Sequence, residues 1–142
     1  MERFRQMAKF LGIAVVLAGL VGSGCAGPKP KSGGVLPCAP DSRIEKTIAA
    51  EAELVDFSCV VKPWEGIDTL HFNVSLKNIS SEPQRYKVNI FLDNGKAVGG
   101  LIPRTTKKGL VEPGKAASFE YPVVGMNDAP GSIILMVKTI TE

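Results

Sequence analysis

Three cysteines, one histidine and one tryptophan are the residues of this chain with most chemistry to offer. His71 sits in an alternating polar and apolar segment, with no second histidine and no Asp or Glu at ligand spacing. Zinc and non-haem iron take three or four ligands, commonly several of them His, so no metal site is expected and His71 reads as a solvated side chain on the polar face of a strand. Met126 and Met136 could join His71 in a copper site, but the close Met/His spacing of copper carriers is missing and Met136 reads as core. No Ser lies in a G-x-S-x-G turn and no glycine loop has phosphate-binding spacing. Catalytic residues and cofactors are therefore expected to be none, and the chain reads as a non-enzyme. Trp64 follows Pro63 in a segment, residues 62–68, that reads as a loop. There it is either an anchor for a partner, since Trp is enriched at binding hot spots, or a cap on one end of the fold. Residues 98–103 (VGGLIP) carry the same ambiguity: Leu101 and Ile102 either fill the core from an edge strand or offer an adaptable apolar contact.

Charge excludes one class of partner. The formal net charge is +3, but residues 1–24 hold Arg3, Arg5 and Lys9 against Glu2, and the remaining 14 basic and 13 acidic residues leave +1. The only local cationic run is Arg104, Lys107 and Lys108. Binding to nucleic acid needs a concentrated surplus of cations to neutralise phosphates, and none is present.

The N-terminus is more telling. Residues 1–9 are cationic, residues 10–21 (FLGIAVVLAGLV) are apolar without a charge, and Gly22-Ser23-Gly24 precedes Cys25. That order is the one found in secretory signal peptides. The apolar run is shorter than the roughly 20 residues that span a bilayer. The small residues before Cys25 resemble the lipobox of bacterial lipoproteins, with Gly22 where Leu is usual. The resemblance implies removal of a signal peptide (residues 1–24), a lipid on Cys25 and, with Ala26 rather than Asp following, delivery to the outer membrane. Two or three acyl chains, at about 0.8 kcal/mol per buried CH₂, anchor stably where one does not. Residues 26–40 contain four Pro and three Gly, which suits an extended tether reaching up to roughly 40 Å. The expected organisation is a lipid-anchored tether over residues 25–43 and a folded domain over residues 44–142.

With Cys25 lipidated, Cys38 and Cys59 are left as an even pair in an oxidising compartment, where a disulfide is the natural outcome. It would close a loop of about 20 residues and contribute roughly 3 kcal/mol on the chain-entropy account.

The positions around these residues alternate with period two. Leu70, Phe72, Val74 and Leu76 are one such run; Tyr86, Val88, Ile90 and Leu92 are another; Ala117, Phe119, Tyr121 and Val123 are a third. In the last run, Ile133 to Val137, Ile134 and Met136 are apolar as well, which predicts a strand covered on both faces. Asp93-Asn94-Gly95 predicts a two-residue hairpin, and Glu112-Pro113-Gly114 a type II turn. Residues 44–54 have helical spacing, while Phe57, Cys59 and Val61 alternate, so the first strand is expected over about residues 52–61. The pattern predicts an all-β fold, an antiparallel β-sandwich of about seven strands, immunoglobulin-like in the broad sense.

Val74 to Asn78 (VSLKN) with Ile79-Ser80-Ser81, followed by residues 84–95 (QRYKVNIFLDNG), resembles small bacterial envelope lipoproteins of the YcfL-like and FxLYD-like kind. The Pro113-Gly114 turn before Phe119 and Ala129-Pro130 before the last strand extend the likeness over about residues 70–138. It implies a periplasmic β-sandwich and no catalytic residues. The expected function is a membrane-anchored periplasmic accessory module with an envelope protein as partner. The alternative is a domain that binds a small ligand or a cell-wall glycan through Trp64 and nearby polar groups.

Overall fold

The alternating runs become strands that close over one another as two sheets. A computed structural model describes residues 35–104 and 109–140. Residues 1–24, Cys25, the tether as far as residue 34, and Lys107 and Lys108 lie outside the described residues. The strands are β1 (Val35–Leu36), β2 (Ile44–Ile48), β3 (Ala52–Trp64), β4 (Ile67–Asn78), β5 (Tyr86–Leu92), β6 (Ala97–Ile102), β7 (Ala116–Val123) and β8 (Ile133–Thr139). The first sheet has the order β1-β3-β4-β7 and the second β2-β8-β5-β6. Only β2, which runs parallel to β8, departs from antiparallel pairing. The fold is an all-β sandwich, with one short 3-10 turn at Asp41–Arg43. Among the described residues no helix is long and apolar enough to cross a membrane.

The period-two residues meet between the sheets. Leu70, Phe72 and Val74 of β4 face the core, as do Val88 and Ile90 of β5 and Leu135 of β8, all fully buried. Burying each such side chain contributes about 1.5–3 kcal/mol. Phe57 stacks on Phe72 with ring centroids 5.6 Å apart. The long β3 keeps its apolar residues inward only because its register shifts between Leu54 and Asp56. The extra residue, Val55, is left exposed, and the parity then changes so that Phe57, Cys59 and Val61 point inward.

The segment between Val35 and Arg43, expected to be tether, is part of the fold. β1 pairs with β3 through Leu36 and Cys59, and Cys38 is bonded to Cys59 with Cα atoms 5.1 Å apart. Both cysteines are buried against the core. The Pro-rich stretch is held because a disulfide and two ladder residues fix it. The helical spacing of residues 44–54 gives way to β2, whose Ile44 and Ile48 are half-buried while its backbone pairs with β8. Long-range pairing overrides local propensity there. A tight turn, with the Ala52 N–H donating to the Ala49 C=O at 3.0 Å, then leads into β3. Glu51 in that turn joins the sheets: the Tyr86 hydroxyl donates to its C=O at 2.9 Å and the Thr139 hydroxyl to its Oε2 at 2.7 Å. The Thr139 bond holds the Glu51 carboxyl below its usual range.

Two turns differ from expectation and one agrees. Residues 62–68 are not a loop: β3 continues to Trp64, and Glu65-Gly66, both at positive φ, turn directly into β4. Two successive positive φ values define the type I′ hairpin turn. Four residues, not two, separate β5 from β6, with Gly95 at φ +81° and the Leu92 N–H donating to the Lys96 C=O at 2.9 Å. At Glu112-Pro113-Gly114 the Lys115 N–H donates to the Glu112 C=O and Gly114 has φ +74°, the predicted type II turn. β8 is not covered on both faces, since Ile134 is exposed and Met136 only half-buried. Among the described residues no layer covers the face of the second sheet on which they lie.

Candidate functional site

The β3–β4 hairpin sets the geometry of the outer face of the first sheet. On that face Trp64 is level with Ile67, Lys62 with Thr69, Val60 with His71 and Ser58 with Asn73. From the other side, β7 places Pro122 beside His71 and Glu120 beside Asn73. The Lys62 ammonium and a Glu120 carboxylate oxygen meet at 2.6 Å. Their strands flank β4, and their positions fall either side of His71, so the ion pair crosses over the imidazole. Trp64 closes the third side, its ring centroid 5.8 Å from that of His71 in an edge arrangement.

His71 is therefore not the solvated residue its alternation suggests. It is 1% exposed, although it points away from the core. Its Nδ1 lies 2.9 Å from the Thr69 C=O. A carbonyl only accepts, so Nδ1 carries a proton, and in the neutral imidazole Nε2 is then an acceptor with a free lone pair. That Nε2 is buried and has no hydrogen-bond partner. One row further on, Asp56 Oδ2 accepts from the Ser58 hydroxyl at 2.8 Å and the Asn73 amide at 2.6 Å. Three apolar side chains stand exposed at the hairpin end: Trp64 at 43%, Ile67 at 69% and Val124 at 70%.

The other sequence-predicted contacts lie elsewhere. Leu101 is half-buried on the outer face of the second sheet, paired with Lys87. Ile102 is fully buried opposite Tyr86 and belongs to the core, which corrects its reading as a contact residue. The structure does not bring either to Trp64. Met126 is buried, with its sulfur 3.3 Å from the Asn94 amide, and Met136 is on the second sheet, so the two methionines and His71 do not converge. Among the described residues no group of three or more His, Cys, Asp or Glu could hold a metal ion.

Two other buried polar groups bear on the reading of His71. Asn78, at the end of β4, is fully buried and fully bonded. Its amide donates to the Glu82 C=O at 2.7 Å and the Val111 C=O at 2.8 Å, and its oxygen accepts from the Ser80 N–H and hydroxyl. Tyr121 packs its ring 4.8 Å from Phe119, and its buried hydroxyl has no partner. Burial pushes the Tyr121 phenol up, partly offset by the Arg104 charge, whose guanidinium sits 4.6 Å over Phe119. The Asn78 role is signalled by its Asn-x-Ser motif. The burial of His71 depends on side chains from two other strands, and only the Glu65-Gly66 pair hints at the hairpin that assembles them. No family model matches this chain, and no match was found among curated proteins or solved structures.

Proposed function

We propose that the chain is exported, cleaved and lipidated at Cys25, and that its sandwich is a non-enzymatic module holding another envelope protein near the membrane. The observation that carries the reading is the outer face of the second sheet. Phe91, Ile134 and Ala97 are register partners across three strands, and all three are exposed. Met136 and Leu101 lie on the same face. Apolar side chains gathered on one exposed sheet face, here beside the β5–β6 turn, are what a protein partner covers. Lys87 and Lys138, paired on the next row but one, favour carboxylates on the partner at that edge.

The buried Cys38–Cys59 disulfide supports export, because thiols in the cytosol are kept reduced. Kinship with the YcfL-like and FxLYD-like envelope lipoproteins, and outer-membrane sorting through Ala26, belong to the same proposal.

A photo-crosslinking side chain at Phe91, compared in cells with one at Ser75 on the other sheet, tests the module. A discrete protein adduct from position 91 and none from 75 is the expected result; equal adducts or none from either would overturn it. Labelling with a clickable fatty acid tests the anchor separately: the label should be present in the wild type and absent in Cys25→Ala.

A further inference from the structure

We propose that the hairpin end of the first sheet's outer face binds a neutral, hydroxyl-rich glycan, one of whose hydroxyls donates to Nε2 of His71. This site is on a different sheet from the face assigned to a protein partner and does not depend on it.

The chemistry of the ligand follows from what the site lacks. His71 is buried, its Nδ1–H is committed to the Thr69 C=O, and its Nε2 is an unpaired acceptor. An acceptor selects a ligand that carries O–H or N–H, and so disfavours phosphate and carboxylate. Glu65 at the turn adds negative charge to the rim and disfavours anions further. A cationic ligand would compete with Lys62, which already occupies Glu120. What remains is a neutral molecule with hydroxyl donors. The exposed Trp64, Ile67 and Val124 require that it also have apolar C–H faces. Sugars combine the two, with C–H faces that stack on indole and hydroxyls around the rim. Asn73, Asp56 and Ser58 lie alongside, where further hydroxyls of an oligosaccharide would reach.

Access to Nε2 requires the cover to part. Lys62 and Glu120 are each more than a third exposed, and ion pairs so placed are weak. A ligand hydroxyl replaces the cover by bonding to the nitrogen beneath it.

The chain's single tryptophan touches its single histidine, so both report without ambiguity. The full chain in detergent is titrated with chitotetraose and, separately, with cellotetraose, following Trp64 emission and the ¹⁵N resonance of the His71 Nε2. The expected result is a saturable emission change with at least one sugar, accompanied by a shift of the Nε2 resonance. His71→Leu should weaken binding about tenfold, the worth of one good hydrogen bond. Silence from both sugars to millimolar concentration would overturn the proposal. An emission change without a shift of Nε2 would overturn the assigned bond. A response to phosphatidylglycerol vesicles but to neither sugar would overturn the glycan in favour of membrane contact.

Discussion

Asn78 and His71 are two buried polar side chains on the same strand, and the fold treats them in opposite ways. Asn78 ends β4 on the inward side, and every hydrogen-bonding position of its amide is filled by the 80–82 turn and by Val111. His71 faces outward near the start of β4, is covered by residues from β3 and β7, and leaves one ring nitrogen unfilled. A buried polar group without a partner costs free energy, so a fold that uses one for support completes its bonds. Three of the four bonds that complete Asn78 are to main chain, which cannot leave without unfolding. His71 is covered by side chains that can move. The contrast separates a residue kept for architecture from one open to a ligand.

The sharpest way to break the comparison is to remove both side chains in turn. Asn78→Ala should cost about 2–4 kcal/mol, since it deprives buried main-chain groups of partners and leaves a void. His71→Leu should cost only about 1 kcal/mol, because the loss of one bond, from Nδ1 to the Thr69 C=O, is partly offset by the removal of a buried unpaired nitrogen. Urea unfolding of the full chain measures both. Similar losses in the two variants would mean that His71 is as structural as Asn78.

The two residues were also unequally legible. The bonds of Asn78 are to nearby loops, and the Asn-x-Ser motif with Glu112-Pro113-Gly114 announces the turns that supply part of them. The core faces of β4, β5 and β7 were legible for the same reason: alternation is local, and so is a type II turn. The Cys38–Cys59 bond could be read because assigning Cys25 to a lipid leaves two of the three cysteines to pair. By contrast, Ile44–Ile48 has helical spacing and becomes a strand only by lying along β8. Ile134 and Met136 are as apolar as core residues, yet they line an open face, because nothing in β8 itself encodes whether another layer exists. His71 required knowing that Lys62 and Glu120 would meet across it. Contacts that join distant strands leave no local trace.

Tyr121 provides an intermediate case, a buried polar group with an unfilled hydroxyl but a ring that belongs to the core. Tyr121→Phe should leave stability unchanged or raise it by up to about 1 kcal/mol at neutral pH. The alkaline limb is more diagnostic. Burial raises the phenols of Tyr121 and Tyr86, with the Glu51 charge adding to Tyr86. Above the ordinary phenol value of about 10 the unfolded chain releases protons that the folded chain keeps. Their contribution to stability is thus full below about pH 10 and is lost as pH rises beyond it. Tyr121→Phe should make that fall shallower, as followed by urea midpoints on either side of pH 10. An unchanged slope would place the Tyr121 hydroxyl in contact with water.

The smallest expected change in stability tests the cover over His71. Lys62→Met keeps the length of the side chain and removes its charge, and for a pair this exposed the loss should be less than about 0.5 kcal/mol. Its effect on access should be larger. Glu120, no longer held across β4, is free to turn to solvent, and the Nε2 lone pair beneath it becomes reachable. Acylation of His71 by diethyl pyrocarbonate, located by mass spectrometry, should then be several-fold faster than in the wild type. Asn78 has no counterpart to this experiment, because three of its four partners are main chain. If Lys62→Met leaves the acylation rate unchanged, the ion pair is not what shields the nitrogen, and the cover must be the packed ring of Trp64. In that case Trp64→Ala, and not Lys62→Met, would open the site.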